Sequence, residues 1–243
     1  MIYLKNYFLT GLVLISFSVE SQKIKTLKPT RSVNVVIPEP SDICYNSNSN
    51  TFYIVSDTGI LFETDGNATI IRKIEQKDTD FEAVYSDEKN VYAVDETNRN
   101  IYEYDIKTFH LNKVSNVPYD GGKNKGYEAF TYNADSKKFI VLTEKDPIIL
   151  FELDADFKIT KQTNLNGIAK DISSAKYYHD FLWLLSDEDM MLMKLNPNTY
   201  EVIQKWSLPV INPEGFTFDA TGNLMVTCDD MQRIYYFNNP EIH

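Results

Sequence analysis

The chain is poor in the residues that most often mark a catalytic or redox site. Of its 243 residues only two are cysteine, Cys44 and Cys228, and only three are histidine, His110, His179 and His243. Two cysteines cannot build the multi-bridge framework of a small secreted scaffold. One bridge is open to them, and two buried thiols are the simpler reading. The histidines fall in an outer connection, a turn and the last position, so a Ser-His-Asp or Cys-His arrangement has little support, and no H-E-x-x-H sequence occurs. Glycine is scarce too, at nine residues, and the Gly-rich stretch 121–126 precedes a strand, which reads as a flexible loop and not as a phosphate cradle. Lys123, Lys125 and Lys145 bring some positive charge near that end of the fold. Across the whole chain, though, 24 Lys and Arg stand against 35 Asp and Glu, a net charge of −11. This excludes nucleic acid and anionic lipid surfaces as natural partners and makes cations the expected counter-ligands.

Long apolar runs are also missing, except at the start. Lys5 is followed by an apolar run over residues 7–17 and then by Ser16, Ser18 and Ser21 before Gln22. That is the order of a secretory signal peptide over residues 1–21, with an uncleaved amino-terminal anchor as the alternative. No cysteine near its end offers a lipid attachment point. The expectation is export to the periplasm or cell envelope, with a mature start between Val19 and Lys23. Asn67-Ala68-Thr69 matches a glycosylation acceptor on a turn.

What the chain does have is aromatic and β-branched residues, including 16 Tyr and 14 Phe, and these suit pleated, half-buried surfaces. It also has a repeat. EPSDICYNSNSNTFYIVSD (39–57), DFEAVYSDEKNVYAVDE (80–96), GYEAFTYNADSKKFIVLTE (126–144), AKDISSAKYYHDFLWLLSD (169–187) and PEGFTFDATGNLMVTCD (213–229) each open near an acid, cross a polar turn, enter an apolar strand and close on another acid. The opening acids, Asp42, Glu82, Glu128, Asp171 and Glu214, are spaced by 40, 46, 43 and 43 residues. The closing acids, Asp57, Glu96, Glu144, Asp187 and Asp229, follow their openers by 14 to 16.

A third apolar strand follows each closer (59–63, 100–105, 148–154, 191–196, 233–238), and a fourth follows in four repeats (69–75, 111–117, 158–165, 201–208). Four short strands per repeat of this length predict an all-β, five-bladed β-propeller over residues 32–240. Its blades span approximately 39–76, 80–118, 126–165, 169–208 and 213–240. The last repeat lacks its outer strand, and residues 32–38 form a strand without a repeat, so the amino-terminal strand is expected to close the ring. A β-sandwich would not repeat its chemistry at a fixed period. The stripes around Trp183 and the methionines Met190, Met191 and Met193 read as packing between blades.

In such a ring, equivalent positions converge on the axis. Five carboxylates facing one another repel, so some must take up protons or hold a cation. The opening column Asp42, Glu82, Glu128, Asp171 and Glu214 is therefore the candidate metal site. An all-oxygen set of this kind matches calcium, with magnesium possible, and matches zinc poorly. The alternative is that these acids accept backbone hydrogen bonds and pin the loops. That reading suits the secondary column Asp57, Glu96, Glu144, Asp187 and Asp229 better.

The residues EPSDI (39–43), VSDTG (55–59), DFEAV (80–84), GYEAF (126–130), LTEK (142–145), DISS (171–174), LWLLSDE (182–188) and PEGF (213–216) resemble the SdiA-regulated, or YjiK-like, exported propellers. These are related in style to the esterase-like phytase and strictosidine-synthase-like propellers. The resemblance implies an extracytoplasmic propeller of the cell envelope whose axial acids are similar to the metal-ligand positions of calcium-dependent relatives. DFEAV, GYEAF and DISS depart from the usual pattern by lacking Gly after the acid, which alters the close approach that Gly permits. Two functions remain open. One is a monomeric, non-catalytic protein that binds a cation, with a small ligand or protein partner at the channel mouth. The other is a calcium-dependent hydrolase of phosphate or carboxylic esters with Glu128 or Glu214 as base.

Overall fold

The computed structural model describes residues 24–122 and 125–242. The leader over residues 1–21 and its cleavage point lie outside them, as do Lys123 and His243.

All regular elements of the described residues are strands. We number them in chain order: β1 Lys25–Thr26, β2 Pro29–Asn34, β3 Pro40–Asn46, β4 Thr51–Ser56, β5 Ile60–Thr64, β6 Ile70–Glu75, β7 Phe81–Ser86, β8 Asn90–Asp95, β9 Asn100–Asp105 and β10 Leu111–Asn116. There follow β11 Ala129–Asn133, β12 Lys138–Leu142, β13 Ile149–Leu153, β14 Ile159–Asn164, β15 Ser174–Tyr178, β16 Phe181–Ser186, β17 Met191–Leu195, β18 Val202–Ser207, β19 Pro213–Phe218, β20 Leu224–Cys228 and β21 Arg233–Phe237. All but β1 form five antiparallel four-stranded blades, in order β3 to β6, β7 to β10, β11 to β14, β15 to β18 and β19-β20-β21-β2. The first strands of the blades neighbour one another in sequence, and β19 returns to β3, which closes a five-bladed propeller.

The alternation of side chains along each strand explains how the blades stack. On β16, Trp183 and Leu185 pack toward the fifth blade while Leu182 and Leu184 pack toward the third. The buried hydrophobic residues accordingly sort into five clusters, one between each pair of neighbouring blades. Trp183 stacks on Trp206 at 5.2 Å, Met193 is buried between the third and fourth blades, and Met190 is exposed. Outer strands face water on one side, as the alternating burial of Ile70–Glu75 shows.

The closing strand departs from expectation. It is Pro29–Asn34, not 32–38, and it pairs antiparallel with β21. Val35 and Ile37, the apolar residues that make 32–38 look like the strand, are instead buried between the fifth and first blades. A second feature has no sequence signal: β1 lies parallel to β18 as an extra outer edge on the fourth blade. Cys44 and Cys228 are separate buried thiols.

Candidate functional site

The strand register decides which side chains meet at the channel mouth. In the second blade Phe81 pairs with Asp95 and Ala83 with Val94, which leaves Glu82 in a bulge. In the fifth blade the ladder passes from the Pro213 and Cys228 pair to the Phe216 and Val226 pair, so Glu214 and Gly215 fall in the irregular step. In the first blade the corresponding step runs from Pro40 to Asp42, and the bulged residue is Ser41. A bulge frees a residue from the ladder and re-aims its side chain. In the third and fourth blades the inner strands start later, with Ala129 paired to Leu142 and Ser174 to Leu185, which puts Glu128 and Ser173 at the same level. The opening column in space is thus Ser41, Glu82, Glu128, Ser173 and Glu214.

This corrects the expected column at two of its five members. Asp42 sits one residue past the bulge and Asp171 two residues before the register position. At Asp42 the one-residue offset turns the side chain to the other face, whereas Asp171 lies ahead of its strand and still borders the mouth, so matching residues by acidity misaligns the first and fourth repeats. Asp42 is fully buried and does not line the mouth. Its carboxylate accepts hydrogen bonds from Lys176 Nζ at 2.6 Å, Ser174 Oγ at 2.8 Å and the Val84 amide at 2.9 Å. Burial raises this carboxyl above its ordinary value, against the pull of Lys176 and the other donors. Gly215 makes room for it: a Cβ there would lie 2.5 Å from Asp42 Cα. Asp171 borders the mouth, yet its carboxylate is engaged by the Ser186 hydroxyl and by the Asp187 and Glu188 amides, both at 3.2 Å. It does what a turn-pinning acid does.

The mouth itself is a cavity of about 240 Å³. Glu82, Glu128 and Glu214 line it together with four of the closing acids, Asp57, Glu144, Asp187 and Asp229. The fifth, Glu96, is buried beside it and accepts the Gly126 amide at 3.0 Å. The closing column therefore contributes more to the mouth than its position at strand ends suggests. Glu39 also lines the cavity, and Asp80 lies close enough to act on Glu82, although neither belongs to the two columns of the repeat. Their signal is in the sequence: each stands immediately before the inner strand of an acid-rich segment.

Crowding of like charge in a partly dry space shapes the protonation of the whole group. Burial first, and Asp80 second, push Glu82 well above the usual carboxylate range. Burial, then the Glu82 and Glu96 charges, do the same to Glu128. Burial and the Asp187 and Asp229 charges push Glu214 up to about 8. Burial and the neighbouring Glu39 raise Asp57 to about 7, and burial with the Asp171 charge raises Asp187 to about 6. One buried oxygen, Asp57 Oδ1, has no hydrogen-bond partner among the described residues. At the rim Lys145 Nζ lies 2.6 Å from Glu144 and 3.0 Å from Glu188. Lys125 instead donates to the Asp146 carbonyl at 3.2 Å.

Among the described residues, no three His, Cys, Asp or Glu side chains are gathered closely enough to enclose a bare ion. His110 and His179 lie in the β9–β10 and β15–β16 connections, away from the mouth.

A family model described as SdiA-regulated matches residues 17–238. The chain belongs to the SdiA-regulated family. No curated protein matches it. Among solved structures it is similar to the glutaminyl cyclase of Myxococcus xanthus, with a TM-score of 0.72 and 12% identity over 88% of this chain and 96% of that one. At this identity the likeness speaks for the propeller fold alone.

Proposed function

We propose that this SdiA-regulated propeller is an exported envelope protein that binds a hydrated divalent cation, calcium foremost and magnesium as the alternative, at its acidic mouth. The observation that carries the reading is the convergence of Glu82, Glu128 and Glu214 with Asp57, Glu144, Asp187 and Asp229 on one cavity. A hard cation with oxygen ligands relieves the repulsion that otherwise forces these groups to hold protons. Glu82, Glu128 and Glu214 would form the floor of the site and the closing acids its walls, with a small ligand or protein partner completing the shell from outside.

Cation binding should displace protons, because the carboxyls are partly protonated near neutrality. Calorimetric titration with calcium in two buffers of different ionisation heat should show saturable binding with net proton release at pH 7. Absence of heat with calcium, magnesium and manganese alike would rule the site out.

A second reading rests on Glu214. A carboxyl that titrates at about 8 in an open cavity is suited to proton transfer at neutral pH. An ester hydrolase is one such enzyme; a glutaminyl cyclase, as the structural neighbour is named, is another. Turnover of aryl ester, phosphomonoester or glutaminyl peptide that disappears in Glu214→Gln would favour this reading over binding alone.

A further inference from the structure

A backbone hydrogen bond recurs on the mouth face in four blades, tying the connection to the next blade to the turn after the second strand. It runs from the Gln76 amide to the Gly59 carbonyl in the first blade, from Val117 to Arg99 in the second, from Leu208 to Met190 in the fourth and from Val35 to Gln232 in the fifth. The bond fixes which residues are equivalent. Directly after the bonded amide stands Lys77 in the first blade and Val36 in the fifth, and at the bonded carbonyl stands Arg99 in the second blade and Met190 in the fourth. Polar stations on one side of the ring are thus apolar on the other.

The apolar residues of that second side are Val36, Met190, Ile211 and Met231, all of them exposed, Val36 at 84% and Ile211 at 63%. They form one strip. The Val35 and Gln232 bond brings Val36 beside the turn that carries Met231. Cys228 Sγ donates to the Ile211 carbonyl at 3.0 Å, and Asn212 Nδ2 donates to Asp230 Oδ2 at 2.7 Å, which holds Ile211 beside the same turn. The Leu208 and Met190 bond then brings Met190 to the start of the Ile211 connection. Elsewhere Ile71, Val114, Ile159 and Ile203 are exposed singly, one on each of four outer strands. Single exposed apolar residues are ordinary, whereas a contiguous strip rimmed by polar groups marks an interaction surface.

The rim of the strip is acidic. Glu39 and Asp229 border it and line the mouth as well, and Asp230 adjoins Met231. Its segments 35–39, 208–213 and 229–232 contain no lysine or arginine, and Arg233 just beyond them donates to Asn34 at 2.8 Å. On the third-blade side the lysines Lys145 and Lys170 are already paired, with Glu188 and Asp189.

We propose that this strip docks another protein through a segment in which apolar side chains adjoin a lysine or arginine. The apolar side chains cover Val36, Ile211, Met231 and Met190, and the basic group meets Glu39, Asp229 and Asp230 at the edge of the mouth. The same acids repel an anionic membrane, and a second copy of a chain with a net charge of −11 is repelled likewise. Docking depends on the acidic mouth of the reading above and not on an ion held there.

The probe is a hexapeptide of alternating leucine and lysine carrying a neutral dye, followed by fluorescence anisotropy with the purified protein. It should bind saturably, while a leucine and glutamate peptide and a serine and lysine peptide should each bind at least about tenfold more weakly. Val36→Ser, Ile211→Ser and Met231→Ser combined should weaken the leucine and lysine peptide by at least about tenfold. Their exposure leaves the melting temperature unchanged. Ile71→Ser, which removes an equally apolar side chain from the outer rim, should leave binding as it is. The triple variant should also keep the parent's heat of calcium binding, so peptide binding without a calcium response would sink the cation reading alone, and the reverse would sink this proposal alone. Equal binding of the three peptides, or a triple variant that binds like the parent, would overturn it. So would self-association of the parent that the triple variant abolishes, which assigns the strip to a second copy, or binding to phosphatidylglycerol vesicles that the triple variant loses, which assigns it to a membrane.

Discussion

Replacing Glu214 by Gln keeps the side chain's shape and removes one titrating group from the mouth. In the folded chain Glu214 titrates at about 8, against an ordinary value of 4.5. Below about pH 4.5 it is protonated in both folded and unfolded chains and contributes nothing to the pH dependence. As pH rises from there toward 8, the unfolded chain loses the proton and the folded one keeps it, so stability falls with pH until the folded group also ionises. At about 1.4 kcal/mol per pH unit, that interval corresponds to roughly 5 kcal/mol. Water in the open cavity screens part of it, and roughly half, 2–3 kcal/mol, is the expected size above pH 8.

For a chain of this length such a difference moves the melting temperature by about 4–12 °C. Scanning calorimetry in chelator should therefore find Glu214→Gln close to the parent at pH 5 and more stable by that amount at pH 9. Calcium should narrow the gap, because an ion held only by the folded state stabilises the parent by about 2.7 kcal/mol at a hundred times its dissociation constant. Parallel pH profiles for parent and variant, or a Gln variant that is less stable at pH 9, would refute the electrostatic argument. The second outcome would mean that the carboxylate accepts hydrogen bonds that hold the loop.

Three further outcomes are expected. Asp42→Ala leaves the Lys176 ammonium buried without its counter-charge and should cost about 3–5 kcal/mol in urea unfolding, whereas Asp42→Leu combined with Lys176→Met should recover most of the loss. Gly215→Ala drives a Cβ to 2.5 Å from Asp42 Cα and 2.8 Å from the Ser41 carbonyl, so it should destabilise by about 3 kcal/mol in the same assay. Deleting Pro29–Asn34 uncovers the outer edge of Arg233–Phe237 and should convert a monodisperse protein into one that aggregates on gel filtration.

The fold is legible because blade chemistry is periodic. Third and fourth strands end within a residue or two of their expected bounds, as at Asn100–Asp105 and Val202–Ser207, since the second and third strands are apolar on both faces and the turns between them carry Asx residues. The site is legible only in part. The closing acids follow regular second strands, so equal sequence spacing means equal position. The opening acids follow bulges and late strand starts, features set by backbone hydrogen bonding that leave no mark in composition. Ser41 and Ser173, neutral residues, therefore occupy two places where Asp42 and Asp171 are expected. Lys176 is hidden for a related reason: one lysine in a strand reads as solvated, and only its distant partner Asp42 explains why it is buried. The closing strand is displaced because Val35 and Ile37 are as apolar as any ladder residue, yet serve as a plug between blades.

The departures from five-fold symmetry also explain which group at the mouth is left to act. A ring of five equivalent carboxylates would hold its charge at a steep cost. Here Ser41 and Ser173 take two of the positions, and Asp42, the expected acid of the first blade, is paired in the interior with Lys176. Of the three glutamates that remain, two are matched with another carboxyl: Glu82 with Asp80, and Glu128 with Glu96. A hydrogen-bonded carboxyl pair shares one proton and resists giving it up, because ionising both puts two charges in contact. Glu214 is raised by burial and by charges at a distance, with no hydrogen-bonded carboxyl neighbour among the described residues. Among the three glutamates it is the one without a carboxyl partner. Glu82→Gln should accordingly alter calcium affinity less than Glu214→Gln does, since Asp80 still offers a carboxyl beside that position after the change, whereas Glu214 has no such partner. Titrations of both variants at pH 7 measure the difference, and equal losses would show that the mouth binds through its summed charge and not through Glu214.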